Sequence, residues 1–145
     1  MTRIFLDANI YFAGCVSQEG ASAFVLDLAQ KKKIELMASK LVLYEADRNL
    51  RKKASASAAK AFRRFLRNVR IRIVSPSEKT LTVYAQSVEA KDVPVIAAAV
   101  DSDAAFFLTL DRKHILSSAI AKSLKRPRIM NPGDFLQEIF LKGKL

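Results

Sequence analysis

Short apolar runs along the chain alternate with longer segments in which apolar residues recur at helical spacing. Ile4, Phe5 and Leu6 follow one another without a polar residue between them, which is typical of a strand buried on both faces. Residues 70–74 instead alternate basic and apolar side chains, as a strand near a sheet edge does. The pattern predicts strands at residues 3–6, 34–38, 70–74, 104–110 and 127–130.

The clearest predicted helix covers residues 55–69. Its apolar residues recur at spacings of three and four positions: Phe62, Phe65, Leu66 and Val69. A basic stripe repeats that spacing two positions earlier: Lys60, Arg63, Arg64 and Arg67. At about 100° per residue the two stripes lie on opposite faces. Further helices are predicted at residues 22–32, after an N-cap at Ser39, and at 77–89, 92–100, about 114–124 and 132–141.

This order of elements predicts the fold class. Strands that alternate with helices indicate an α/β fold, in which a parallel sheet is covered on both faces. Ligands of such sheets bind beyond the carboxyl ends of the strands, where the strand order reverses. Asp7 and Asp111 each follow an apolar strand directly. If their strands are neighbours, the two carboxylates share one crevice.

Composition narrows the class of protein. A chain of 145 residues fits one domain, residues 1–145. Its net charge of +11 indicates a polyanionic partner, with nucleic acid first, although a basic surface for solubility or an anionic membrane surface is an alternative. One Cys and one His exclude a Cys/His zinc site. Asp7 comes too early for a signal peptide, and no apolar run approaches the ~18 residues of a membrane span, so we expect a soluble, cytoplasmic protein.

Four motifs resemble those of the PIN-domain family, in the family's order and over nearly the whole chain. The apolar strand before Asp7, with Asn9 two positions on, is similar to the opening motif. Leu43-Tyr44-Glu45 is similar to the second, and Asp92, which opens a helix of small residues, to the third. Phe107 to Asp111, a strand that closes in Thr-x-Asp, is similar to the fourth.

The resemblance implies a three-layer α/β/α sandwich with a parallel sheet in the order 3-2-1-4-5. It also implies Mg²⁺- or Mn²⁺-dependent cleavage of RNA. Many small members of the family are toxins of VapBC-type toxin–antitoxin pairs, so an antitoxin is a possible partner. Many also pair as dimers, which we expect of this chain as well.

The resemblance assigns the four acids to one site. Four crowded carboxylates repel one another, and a divalent cation with a preference for oxygen ligands relieves that repulsion. Asp7, Asp92 and Asp111 are the expected metal ligands, and Glu45 either binds the metal or acts as general base. Asn9 and Thr109 are expected to orient these carboxylates, and Asp103 is a possible fifth acid.

A basic stretch is the candidate RNA surface. Ten basic residues and no acidic one lie from Arg48 to Arg72. Such residues could follow a phosphate backbone, or dock an acidic partner such as an antitoxin tail. The assigned residues are Arg48, Arg51, Lys52, Lys60, Arg63, Arg64 and Arg67.

Each acid also has a purely structural explanation. Asp7 could be an ordinary residue at the end of a strand, and Glu45 a solvated helix residue. Asp92 is a favoured N-cap residue, and Asp111 could simply begin a turn.

Two other functions stay open. A phosphatase of the haloacid-dehalogenase type also opens with a strand ending in Asp, but it needs a second Asp where this chain has Asn9. A non-catalytic RNA-binding protein could keep the fold without cleavage. A two-histidine ribonuclease mechanism is excluded, because His114 is the only histidine.

Overall fold

A five-stranded parallel sheet forms the centre of the structure, a computed structural model that describes residues 1–143. Its strand order is β3-β2-β1-β4-β5, and every neighbouring pair is parallel. The strands are β1 (Arg3–Leu6), β2 (Glu35–Ala38), β3 (Ile71–Ile73), β4 (Phe106–Leu108) and β5 (Arg128–Met130). The α/β class and the order 3-2-1-4-5 that the resemblance implies are therefore confirmed, with β3 at an edge. The predicted domain runs to residue 145, whose last two residues lie outside the described part.

The helices fill the connections between these strands. They are α1 (Ala8–Val16), α2 (Ala21–Gln30), α3 (Lys40–Lys53), α4 (Ala56–Asn68), α5 (Glu78–Ala85), α6 (Val93–Asp101), α7 (Ala119–Ser123) and α8 (Pro132–Leu141). A 3-10 turn, Ala90–Asp92, precedes α6, and a π-helical turn, Arg112–Leu116, precedes α7. None of the helices in the described chain is long and apolar enough to cross a membrane.

The segment of α1 and the segment near residues 114–124 differ most from the sequence prediction. No helix was predicted for α1, because the segment is apolar almost all round and so lacks a polar face that would show the helical period. The helix predicted near residues 114–124 is instead broken into the π-helical turn and α7. Ser118 causes the break by capping α7, where its hydroxyl accepts a hydrogen bond from the Ala121 backbone N–H at 3.2 Å.

Aromatic side chains join the sheet to the helices on it. Phe5 of β1 and Phe107 of β4 are fully buried and meet edge to face, with ring centroids 5.6 Å apart. Phe135 of α8 packs against Phe106 at 5.0 Å. Burial of this apolar surface is the main stabilising contribution to the fold.

The strand order reverses at β1, and this opens a crevice at one edge of the sheet. Helices α1–α4 connect β1, β2 and β3, while α5 and α6 lead back from β3 to β4. Since such connections are right-handed, the two groups of helices cover opposite faces of the sheet. The chain therefore leaves β1 and β4 toward opposite faces, and a crevice opens between their carboxyl ends.

Candidate active site

A cleft of about 400 Å³ opens at the carboxyl ends of β1 and β4. It contains all of the acids that the sequence assigned to catalysis, which come from the end of β1, from α3, from the 3-10 turn and from the residues after β4. The side chains that line it are Asp7, Ala8, Asn9, Phe12, Glu45, Asn49, Lys53, Lys91, Asp92 and Asp111. Residues up to 104 positions apart in the sequence thus meet in one negatively charged cleft.

Asp7 is fixed at the base of the cleft mainly by two short hydrogen bonds, with a longer one from the Asn9 amide at 3.4 Å. Its Oδ1 accepts from the Ala8 backbone N–H at 2.8 Å, and its Oδ2 accepts from the Thr109 hydroxyl at 2.7 Å. Burial raises the pKa of Asp7, and these two hydrogen bonds only partly offset that effect. The nearby carboxylates of Glu45 and Asp111 raise the pKa further, so an adjacent cation would stabilise the ionised form.

Thr109 and Asn9 tie the end of β4 to the start of α1. Thr109 is fully buried, and its hydroxyl accepts from the Asp111 backbone N–H at 3.1 Å and from the Asn9 amide at 3.3 Å. The side-chain oxygen of Asn9 accepts from the Leu110 backbone N–H at 3.1 Å. Both side chains therefore contact Asp7 and the backbone beside Asp111.

Asp92 stands at the start of α6 but does not cap it. It is 7% exposed, and its side chain makes no capping hydrogen bond to the helix. Its Oδ2 atom is buried and has no hydrogen-bond partner in the described chain. Burial raises the pKa of Asp92, which Lys91 and His114 lower and Asp111 raises. The structural explanation of Asp92 as an N-cap therefore fails, and the unpartnered oxygen needs another partner.

The two carboxylate oxygens of Asp111 have different surroundings. Its Oδ1 accepts from the His114 backbone N–H at 2.9 Å, so it does begin the π-helical turn. Its Oδ2 lies 4.0 Å from the ammonium of Lys91, which is also 3.8 Å from Oδ1 of Asp92. Lys91 thus stands between two of the predicted metal ligands. Glu45, the fourth acid, is exposed at the rim on α3.

Three polar residues of the cleft were given no site role from the sequence: Asn49, Lys53 and Lys91. Asn49 and Lys53 follow Glu45 at four and eight residues along α3, so helical spacing from Glu45 would have identified them. Lys91 directly precedes Asp92, and no sequence signal shows that it faces the cleft. Its ion pairs with Asp92 and Asp111 become visible only in the structure.

Asp103 is a predicted site residue that lies elsewhere. It occupies a left-handed turn, with φ 58°, before β4 rather than after it. Its carboxylate accepts a hydrogen bond from Arg126 at 3.0 Å and lies 3.7 Å from Arg3, at the amino ends of the strands. The prediction of Asp103 as a fifth acid is therefore wrong, because the site lies at the opposite edge of the sheet.

The predicted RNA-binding residues lie outside the cleft. None of the seven residues assigned to RNA binding lines it. Arg51 and Arg63 instead hydrogen-bond to the carboxylate of Asp47, at 2.8 and 3.2 Å. Partial burial alone would raise the pKa of Asp47, but these two guanidinium groups outweigh it and lower the pKa. An acid just before the acid-free stretch therefore offsets part of its charge.

The donor set of the cleft fits a divalent metal ion. Every acid that lines it offers carboxylate oxygens, the hard ligands that Mg²⁺ and Mn²⁺ take. The orphaned Oδ2 of Asp92 and the raised pKa values of Asp7 and Asp92 are both unfavourable features that a cation would relieve. The residues present therefore agree with the metal that the resemblance implies.

Comparison with known proteins identifies the family. Residues 3–113 match the PIN domain, so the chain belongs to the PIN-domain family. A search of curated protein sequences gives no match.

Solved structures share the fold at low sequence identity. The crystal structure of VapBC2 from Rickettsia felis, bound to a DNA fragment from their promoter, matches with a TM-score of 0.62 and 17% identity. The match covers 90% of this chain and 98% of the other. PAE2754 from Pyrobaculum aerophilum matches with a TM-score of 0.59 and 17% identity, over 97% of this chain and 90% of the other.

Proposed function

We propose that the protein is a metal-dependent endoribonuclease that hydrolyses RNA phosphodiester bonds. One observation carries the proposal: Asp7, Glu45, Asp92 and Asp111 line a single cleft, and a buried oxygen of Asp92 has no partner within residues 1–143. Membership of the PIN-domain family supports it.

Asp7, Asp92 and Asp111 would hold Mg²⁺ or Mn²⁺. When bound, such an ion supplies a more acidic water and a positive charge for the phosphate. Thr109 and Asn9 hold the carboxylate of Asp7 in a fixed orientation through their hydrogen bonds. Glu45 lies at the exposed rim, where it can accept the proton of an attacking water. The four acids would thus contact the metal or the attacking water, whereas Thr109 and Asn9 would position Asp7.

Positive side chains at the rim can attract RNA to a cleft that is otherwise acidic. The carboxylates repel phosphate, whereas Lys53 and Lys91 border the same cleft with positive charge. The overall charge of +11 attracts a polyanion from a distance. The seven predicted RNA-binding residues, Arg48, Arg51, Lys52, Lys60, Arg63, Arg64 and Arg67, would extend this path, with Arg51 and Arg63 weakened by Asp47.

The direct test is cleavage of a circular single-stranded RNA, which has no end for an exonuclease to start from. We expect the protein to cut it in Mg²⁺ or Mn²⁺ and to be silenced by chelator. Asp7→Asn and Asp111→Asn should each lower the rate at least about 100-fold.

Asp103→Asn is the matched control for these variants, because it makes the same chemical change at the opposite edge of the sheet. Its activity should equal that of the unmodified chain. RNA binding without cleavage by the unmodified chain would instead support the non-catalytic alternative. Hydrolysis of a simple phosphate monoester, but not of RNA, would support the phosphatase, which Asn9 already disfavours.

A role as the toxin of a toxin–antitoxin pair is a narrower proposal. It is supported by the similarity to VapBC2, which is a fold-level likeness at 17% identity. A reading frame directly upstream that encodes a small DNA-binding protein would be the candidate antitoxin, and its co-expression should relieve any growth arrest and form a stable complex. Dimer formation, which light scattering measures, and a cytoplasmic location both stay predictions.

A further inference from the structure

A second group of metal-binding side chains lies beside the cleft. Glu89, Asp92 and His114 each offer a ligand atom, and these atoms all lie within 4.8 Å of one another. Glu89 directly precedes the 3-10 turn that ends at Asp92, while His114 lies in the π-helical turn after β4. His114 Nδ1 is 3.2 Å from Oε1 of Glu89. Two separate turns thus bring one imidazole nitrogen and two carboxylate oxygens within 4.8 Å of one another.

The unpartnered oxygen of Asp92, already noted in the cleft, is a second observation on the side chain that the two groups share. Asp92 is 7% exposed, and its buried Oδ2 has no hydrogen-bond partner among the described residues. A buried carboxylate oxygen without a donor is unfavourable, and nearly all such atoms in proteins have a partner. A cation held by Asp92 together with its two neighbours would supply that partner.

We propose that Glu89, Asp92 and His114 bind a divalent transition-metal ion such as Zn²⁺ or Co²⁺, in preference to Mg²⁺. An imidazole nitrogen suits these ions, whereas Mg²⁺ favours oxygen ligands alone. Three protein ligands leave a coordination position for water. The side chains of Glu89 and His114 are 60% and 28% exposed, so an ion can enter from solvent.

This site differs from the carboxylate group assigned to catalysis. Asp7 and Asp111 belong only to that group, Glu89 and His114 belong only to the new one, and Asp92 belongs to both. The inference concerns metal binding alone and does not depend on RNA cleavage. Its test therefore measures binding rather than activity.

The single histidine makes a specific spectroscopic test possible. Tag-free protein labelled with ¹⁵N-histidine has one set of imidazole signals, because His114 is the only histidine in the chain. We expect one equivalent of Zn²⁺ to shift an imidazole nitrogen signal, and the same amount of Mg²⁺ to leave it unchanged. Absence of a Zn²⁺ shift, or an equal shift with both ions, would overturn the proposal.

Calorimetric titration of variants separates the two sites. His114→Gln and Glu89→Gln should each weaken Zn²⁺ binding at least about tenfold and leave Mg²⁺ binding unchanged. Asp7→Asn should weaken Mg²⁺ binding and leave Zn²⁺ binding unchanged. Lys113→Gln, a change at an exposed neighbour of His114, is the control and should alter neither.

Each outcome bears on one proposal. Equal loss of both ions in His114→Gln, or Zn²⁺ binding that survives both His114→Gln and Glu89→Gln, would overturn the second site. Because Glu89 is exposed, its variant should fold. Thermal melts check that both the His114→Gln and the Glu89→Gln variants are folded. A chain that binds Zn²⁺ through His114 but shows no Mg²⁺ binding would instead contradict the proposed nuclease.

Discussion

Individual carboxylates in the cleft are held in place by neutral hydrogen-bond donors rather than by cations. Asp7 accepts from a backbone N–H and a hydroxyl, and Asp111 accepts from a backbone N–H. Neutral donors fix the direction of a carboxylate without neutralising its charge. The cleft therefore keeps its negative charge, and Lys91 is the cation that lies within 4.0 Å of two of its acids.

Thr109→Val tests whether this orientation matters. Valine has the shape of threonine but removes the hydroxyl that donates to Asp7 at 2.7 Å and accepts from the Asp111 N–H at 3.1 Å. We expect Mn²⁺ affinity, measured by calorimetry, to fall about 10- to 100-fold, as for other residues that orient metal ligands. Thr109→Ser keeps the hydroxyl and should bind Mn²⁺ nearly as well as the unmodified chain. Equal binding by all three proteins would exclude a positioning role.

Asp92→Asn tests the cost of the unpartnered charge. Because burial raises the pKa of Asp92, its ionised form is less favourable in the folded chain than in the unfolded chain at neutral pH. The neutral amide should therefore raise the free energy of unfolding by about 1 kcal/mol in chelator. Added Mg²⁺ should reduce or reverse this gain, since a bound ion stabilises only the chain that binds it. Urea denaturation measures the free energy of unfolding of both proteins. An Asp92→Asn variant that is less stable than the unmodified chain in chelator would contradict the argument.

Sequence could identify some of these residues and not others, for physical reasons. A carboxylate directly after a buried strand must lie at the carboxyl edge of a parallel sheet, so Asp7 and Asp111 could be placed without coordinates. Asp103 follows no strand end, and only the bend before β4 shows that it faces the other edge. The contacts of Lys91 and the lack of a hydrogen-bond partner for Asp92 Oδ2 among the described residues depend on packing between distant segments, which spacing does not encode.

Helices and turns show a similar division. The helix α4 was predictable because one of its faces is apolar and the other basic, whereas α1 is apolar nearly all round and has no such signature. Helix α5 ends at Ala85, four residues before the predicted end, and Glu89 is extended where the chain enters the 3-10 turn. Beyond that end, ligand atoms of Glu89 and Asp92 lie within 4.8 Å of each other.

Asp101→Ala tests how α5 is attached to α6. The Asp101 carboxylate accepts from the Ser77 backbone N–H and from the Thr80 hydroxyl, both at 2.7 Å, at the start of α5. Slight burial raises the pKa of Asp101, but these hydrogen bonds outweigh it, so the pKa lies below its ordinary 3.8. Because the group is exposed, we expect the substitution to cost only about 0.5–1 kcal/mol at neutral pH.

The pH dependence of this variant distinguishes the carboxylate from simple loss of contact. A lowered folded-state pKa gives stability that is present above 3.8 and is lost as pH falls through the lowered value. The difference between Asp101→Ala and the unmodified chain, from urea denaturation, should therefore be constant near neutrality and shrink in acid. A difference that is independent of pH would contradict this explanation.

Positive charge is distributed unevenly around the molecule. Lys53 and Lys91 border the acidic cleft, whereas Arg70 and Arg72 border a hollow with Met1 and Glu35 at the amino ends of the strands. Helix α4 runs from the first region toward the second, since it follows α3 and returns the chain to the start of β3. The predicted basic stripe therefore starts near the cleft and leads away from it.

Lys53→Gln and Arg70→Gln compare these two regions at equal net charge. If RNA follows a path into the cleft, Lys53→Gln should weaken its binding several-fold in chelator, where no cleavage occurs. It should also reduce the slope of log affinity against log salt by about 0.7, the value for one lost phosphate contact on a single strand. Arg70→Gln should leave both quantities nearly unchanged, because its side chain lies at the opposite edge of the sheet. Fluorescence anisotropy at several salt concentrations measures both, and equal effects of the two variants would show that RNA responds to overall charge rather than to a defined path.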